Sequence, residues 1–192
     1  GYRERRSPTL LKDSKAQLDF AQETDRYLSS LSEEEQKELD RYNQGLPEMH
    51  QDTRAVVAIP VAGHQEAKNI YRTLSNFTQQ TDMKGNQLDP NLFEVILFVN
   101  HPGGTSADET LAEIDRFKKD NPTLNVQVVH EEWGGAVGSF RIGRARKSAT
   151  DLALQRARNR ANGQGNEIVI ISNDADTKAL SSQYISSVID TF

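Results

Sequence analysis

The chain has 192 residues, a formal net charge of −5 and no cysteine. That length suits one domain with an appendage, and the absence of thiols excludes disulfides and thiolate metal sites. The mild acidity argues against a nucleic-acid binder, no run of about 20 apolar residues offers a membrane helix, and a cysteine-free chain without a signal-peptide pattern fits the cytoplasm.

Gly1 to Pro8 is basic and polar, with Arg3, Arg5 and Arg6, and Gly1 in place of an initiator methionine points to processing, a tag remnant or a fragment. From Asp13, apolar residues recur at Leu18, Ala21, Leu28 and Leu31, a helical spacing with a thin stripe. Ser32 followed by Glu35 is a capping box for a second helix, with Glu33 and Glu34 in its first turn and Gly45 and Pro47 ending it. Residues 1–53 therefore read as a helical N-terminal extension. It is either an arm for docking or oligomerisation or an amphipathic preface packed on its own domain.

Residues 54–192 alternate apolar runs with helical stretches. The runs are Val56–Pro60, Val95–Asn100, Val126–His130 and Ile168–Ser172; the helices fall near Glu66–Gln79, Ala107–Lys119, Ser148–Ala161 and Lys178–Asp190. This order predicts an α/β fold, an open, mostly parallel, Rossmann-like sheet with right-handed crossovers and helices on both faces. Asn162 to Asn166 reads as a turn, since it precedes a strand. There is no Gly-x-x-x-x-Gly-Lys-Ser/Thr loop, no Gly-x-Gly-x-x-Gly after the first strand and no Gly-x-Ser-x-Gly elbow. P-loop, dinucleotide and hydrolase readings fall with them.

The last apolar run, Ile168 to Ile171, is followed by Asp174 and Asp176. Carboxylates beyond the end of a parallel strand lie where such sheets bind ligands, and a pair of them suits a hard divalent cation that in turn holds phosphates. The competing role for Asp176 is to cap a helix starting near Lys178. Between Trp133 and Lys147 a glycine-rich stretch leads to Arg141, Arg144, Arg146 and Lys147, cations crowded at a helix entrance where an anion would be favoured. Arg144 and Arg146 are the candidates there, against a solvated basic face. Trp133 either stacks on a ligand or packs against the domain. Asn100 offers both a donor and an acceptor at the end of the second strand, whereas His64 and His101 read as loop and turn residues.

The order of these features resembles a GT-A glycosyltransferase, similar to the family 2 nucleotide-sugar transferases. The resemblance runs from Ile59-Pro60 through Glu66, Asn69-Ile70 and Thr73-Leu74, then Asn100 to Ser106, to Asp174-Ala175-Asp176. It implies a metal-dependent enzyme that binds a UDP- or GDP-linked sugar and passes the sugar to an unknown acceptor. Pro60, Val61, Ala62 and Glu66 would line the nucleoside pocket, Asn100 would meet the base, and Arg144 or Arg146 the diphosphate. Asp174 would reach the ribose or the metal, and Asp176 would ligate Mn2+ or Mg2+. Asn100 stands where the family often has aspartate, and the chain stops one helix after Asp176, so residues 54–192 match the donor-binding half of such an enzyme; its catalytic base is unknown. The rival readings are a non-catalytic nucleotide-binding or assembly module and a nucleotidyltransferase, the latter weakened by the missing Gly-rich basic loop after the first strand.

Overall fold

The structure is a computed structural model that describes residues 14–134, 142–161 and 168–190. Its elements are α1 (Ser14–Ser30), α2 (Glu33–Gln44), β1 (Ala55–Ala62), α3 (Ile70–Ser75), β2 (Phe93–Pro102), α4 (Asp108–Asp120), β3 (Val126–Trp133), α5 (Ile142–Ala161), β4 (Val169–Ser172) and α6 (Tyr184–Asp190). The four strands form a parallel sheet in the order β3-β2-β1-β4.

Every residue of β1 and β2 is buried, which is why these strands read as unbroken apolar runs instead of alternating ones. Alternation reappears as a choice of face. Val57, Ile59, Val61, Leu97 and Val99 join a core with Ile70, Leu74, Ile114, Phe117 and Ile185 from α3, α4 and α6. Val56, Ala58, Ile96 and Phe98 join the opposite core with Ala149, Leu152 and Ala153 from α5. Crossovers of one hand that run first toward β3 and then back toward β4 place their helices on opposite faces. The reversal lies between β1 and β4.

The N-terminal helices complete the second core. Leu28, Leu39, Tyr42 and Met49 are buried in it. The Ser32 capping box forms as read from the sequence, with Glu35 N donating to Ser32 Oγ at 3.1 Å and Ser32 N to Glu35 Oε1 at 3.2 Å. Polar ties fix the preface to the body. Tyr27 donates to Asp151 at 2.7 Å, and Arg41 forks onto Glu131 of β3 at 2.7 and 3.2 Å. Arg156 binds Glu94, Asn43 Oδ1 and the Pro47 carbonyl together. Leu28, Leu39 and Tyr42 of the preface thus face inward, onto α5 and the sheet.

Element boundaries depart from the sequence reading where loops compete with helix. The first crossover helix begins at Ile70, not near Glu66, because Gln65 and Glu66 both donate to the Ala62 carbonyl and hold the chain in turns. The final helix begins at Tyr184, not near Lys178. Leu180 N donates to Asn76 Oδ1 at 3.0 Å, and Thr81 N donates to the Ser182 carbonyl at 2.6 Å, which tether that stretch to the segment after α3. In the other direction, β2 and β3 run on to Pro102 and Trp133, because the ladder continues through His101 with Glu132 and Pro102 with Trp133. His101 is therefore a strand residue and not a turn residue.

Candidate functional site

In open parallel sheets, ligands bind beyond the carboxyl ends of strands where the winding reverses. Here that place is the junction of β1 and β4. The last pair between them is Ala58 with Ser172, so Ile59 to Ala62 continue past β4 paired to β2 alone. Asn173 N then donates to the Ala58 carbonyl at 3.1 Å and turns the chain across the sheet end.

The turn holding the two aspartates is built from its own polar side chains. Asn173 Oδ1 accepts from Asp174 N and from Thr177 Oγ1, each at 3.0 Å. Thr73 of α3 donates to the carbonyls of Ala175 and Thr177, so the turn is pinned to the helix that follows β1. Ala175 is buried in the core while Asp174 and Asp176 are exposed. With the helix starting only at Tyr184, Asp176 caps nothing. Its carboxylate has no partner among the described residues.

Asp174 has one. Arg146 of α5 donates to Asp174 Oδ1 and to Ser172 Oγ, both at 2.6 Å. The neighbouring cations go elsewhere. The Arg144 guanidinium lies 3.8 Å from the centre of the Trp133 ring, which itself packs on Phe98. Lys147 donates to Glu35 at 2.8 Å and Asp151 at 2.7 Å. Those bonds raise the Lys147 pKa against the burial that opposes it, and they hold the Glu35 carboxyl down at about 2. Burial pushes Asp151 the other way, up. Only Arg146 among the described cations of this cluster reaches the aspartates; Arg141 and the glycines at 135–138 lie outside the described residues.

Asn100 is fully buried at the end of β2, in register with Ala62, and neither its Oδ1 nor its Nδ2 has a hydrogen-bond partner among the described residues. Buried amides are almost always paired, so an orphan at the ligand-binding end of a sheet calls for an explanation. Alternation places it on the Ile96–Phe98 face, the side covered by α5 and hence by Arg146. Asn173 Nδ2 is a second buried donor at the same end with no partner among the described residues. Neither Asn173 nor Ser172 was singled out from the sequence; their place between a buried strand and the acid pair is the signal that was there to read.

Pro60, Val61 and Ala62 are buried within β1, so only their backbone is available to a ligand. Glu66 sits on the α3 side, where it accepts from Asn69 Nδ2 at 3.1 Å and braces the entrance to α3. No hydrogen bond links it to Arg146, Asp174 or Asn100. Gly63 is required by close approach: a Cβ there would lie 2.7 Å from Ala107 Cβ and 2.9 Å from Val99 Cγ1. A cavity of about 460 Å³ lies at the opposite, amino-terminal end, lined by Asn43, Met49, Gln51, Arg156 and Arg160. Every nitrogen of the Arg156 guanidinium is already engaged there.

The donor set beyond β4 consists of hard oxygens, the two carboxylates and the Ser172 hydroxyl, which suits Mg2+ or Mn2+ completed by water and phosphate. Among the described residues no group of three or more His, Asp or Glu side chains is already gathered around a metal position. No helix among them is long and apolar enough to cross a membrane.

No family model matches the chain, and no curated protein does. Among solved structures, the mannosyltransferase PcManGT from Pyrobaculum calidifontis, in complex with GDP-Man and Mn2+, is similar at 18% identity with a TM-score of 0.34. The match covers 76% of this chain and 36% of that one, so this chain spans about a third of that enzyme's length. A likeness at this level says nothing of what this chain binds.

Proposed function

We propose that this protein is the donor-binding part of a metal-dependent glycosyltransferase, holding a UDP- or GDP-linked sugar beyond the carboxyl ends of β1 and β4. One observation carries the reading: an Asp174-Ala175-Asp176 turn at the winding reversal with both aspartates exposed, and with Arg146 already set against Asp174. Asp176 and Asp174 are the carboxylates for Mn2+ or Mg2+. The cation, once bound, offsets the charge that builds on a leaving diphosphate. Arg146 is the protein's own cation for that diphosphate, Asn100 is the amide for the base, and the backbone of Pro60 to Ala62 borders the nucleoside. Catalysis in such a site is positioning and electrostatic stabilisation. The acceptor site and the catalytic base belong to no residue assigned in this chain.

The test is calorimetry with UDP and GDP, each with and without Mn2+. Metal-dependent binding by the wild type, abolished in Asp174→Ala/Asp176→Ala, is expected. Binding of neither nucleotide under any condition, or unchanged binding by the double variant, overturns the proposal.

A further inference from the structure

His101 on β2 and His130 on β3 face each other with their Nε2 atoms 3.0 Å apart. Their planes are within 18° of parallel, yet the ring centroids are 5.1 Å apart. With nitrogens so close and centres so distant, the rings meet edge to edge and not face to face. The in-plane nitrogen orbitals of the two Nε2 atoms are therefore directed into the same gap.

The surrounding bonds fix which nitrogen holds a proton. Thr105 Oγ1 donates its one hydrogen to the Pro102 carbonyl at 2.7 Å, so at its 3.1 Å contact with His101 Nδ1 it can only accept. His101 is thus protonated on Nδ1, and its Nε2 presents a lone pair that takes the proton of His130 Nε2. His101 is 4% exposed, and the ring is held by this pair of bonds; His130 is exposed on the edge strand.

We propose that His101 and His130 form a binding site for a borderline transition-metal ion of the Zn2+, Ni2+ or Cu2+ class, in which the metal replaces the shared proton. The His130 proton moves to its own Nδ1, and both Nε2 atoms become ligands. Nitrogens bound to a tetrahedral zinc at their usual bond lengths stand roughly 3.3 Å apart, so the pair must open by only about 0.3 Å. The His101 Nδ1–H to Thr105 bond survives, and it is the kind of outer contact that orients a metal-bound imidazole. Glu132 is the third ligand. It pairs in register with His101 and lies two residues from His130, so all three side chains project from one face of the sheet. Its exposed carboxylate turns in on binding, since no three ligands converge beforehand among the described residues. Water completes the set. Two imidazoles select this class of metal, whereas the oxygens of Asp174 and Asp176 select Mg2+ or Mn2+. The proposal stands apart from the sugar-transfer reading.

Chelator-treated full chain is titrated with Zn2+ by calorimetry and with Co2+ by visible absorption. One zinc per chain and the intense bands of a low-coordinate cobalt are expected. His130→Ala, at an exposed position, should lose both while keeping its circular dichroism. Thr105→Val should weaken zinc by roughly 10–100-fold, and Asp174→Asn/Asp176→Asn should leave it unchanged. A wild type that takes up no zinc, a His130→Ala variant that binds as the wild type does, or loss of zinc in the double aspartate variant overturns the site.

Discussion

Arg146 reaches from the first turns of α5 to Asp174, donating to its carboxylate at 2.6 Å and to Ser172 Oγ at the same distance. A guanidinium therefore stands against the carboxylate that a divalent cation would ligate. If Asp174 ligates a divalent cation as proposed, cation and arginine would compete for it until a diphosphate gave the arginine another partner. Arg146→Gln should bind Mn2+ alone about 2–5-fold more tightly, the worth of a half-exposed ion pair, and bind the nucleoside diphosphate–Mn2+ complex more weakly. Manganese titration with and without GDP separates the two effects. Looser binding in both arms would mean that Arg146 only props the turn.

A second arginine on α5 has a different task. Arg156 and Glu94 are each 2% exposed, and the same guanidinium holds Asn43 and the Pro47 carbonyl of the preface. Glu94→Ala leaves a charge buried without its partner and should cost about 3–5 kcal/mol. Urea unfolding should show the loss as a lower midpoint.

These two arginines also mark what was legible in the sequence. The sheet could be read because strands covered on both faces appear as unbroken apolar runs, as Val95 to Val99 does. The aspartate turn could be read because it follows such a run. The division of labour among Arg144, Arg146 and Lys147 could not. Positions one or two apart on a helix point to different faces, as Arg146 does from Arg144 and Lys147, and which face of α5 overlies the strand ends is fixed only by packing. The His101–His130 pair was hidden for a related reason: its members are 29 positions apart and meet only once the register of β2 and β3 is set.

The tie between preface and body predicts an acid limit. Glu35 is held down to about 2, first by its bond from Lys147 and then by the capping box. A carboxyl lowered on folding adds stability above its unfolded value of 4.5, and that stability is lost as pH falls toward 2. Burial of Asp151 works in the opposite direction, since its raised pKa favours the folded state at low pH. The Glu35 contribution is small because the pair is half exposed, about 0.5–1 kcal/mol after solvent screening. Thermal midpoints from pH 7 to pH 3 should fall less steeply for Glu35→Gln than for the wild type.

Asn100 separates stability from function. Its amide is buried without a partner among the described residues, at a cost of about 1–3 kcal/mol for each such group. Leucine keeps the same branched heavy-atom skeleton and makes no polar demand, so Asn100→Leu should raise the urea midpoint by the equivalent of about 1–2 kcal/mol. If the amide exists to meet a base, the same variant should lose nucleotide affinity by about tenfold or more, the price of removing a paired polar contact from a buried site. A variant that is more stable and binds as well as the wild type would show the amide to be a packing imperfection. One that is less stable would show that the buried amide has a structural partner. Only a gain in stability coupled to a loss of binding fits a residue kept for its ligand.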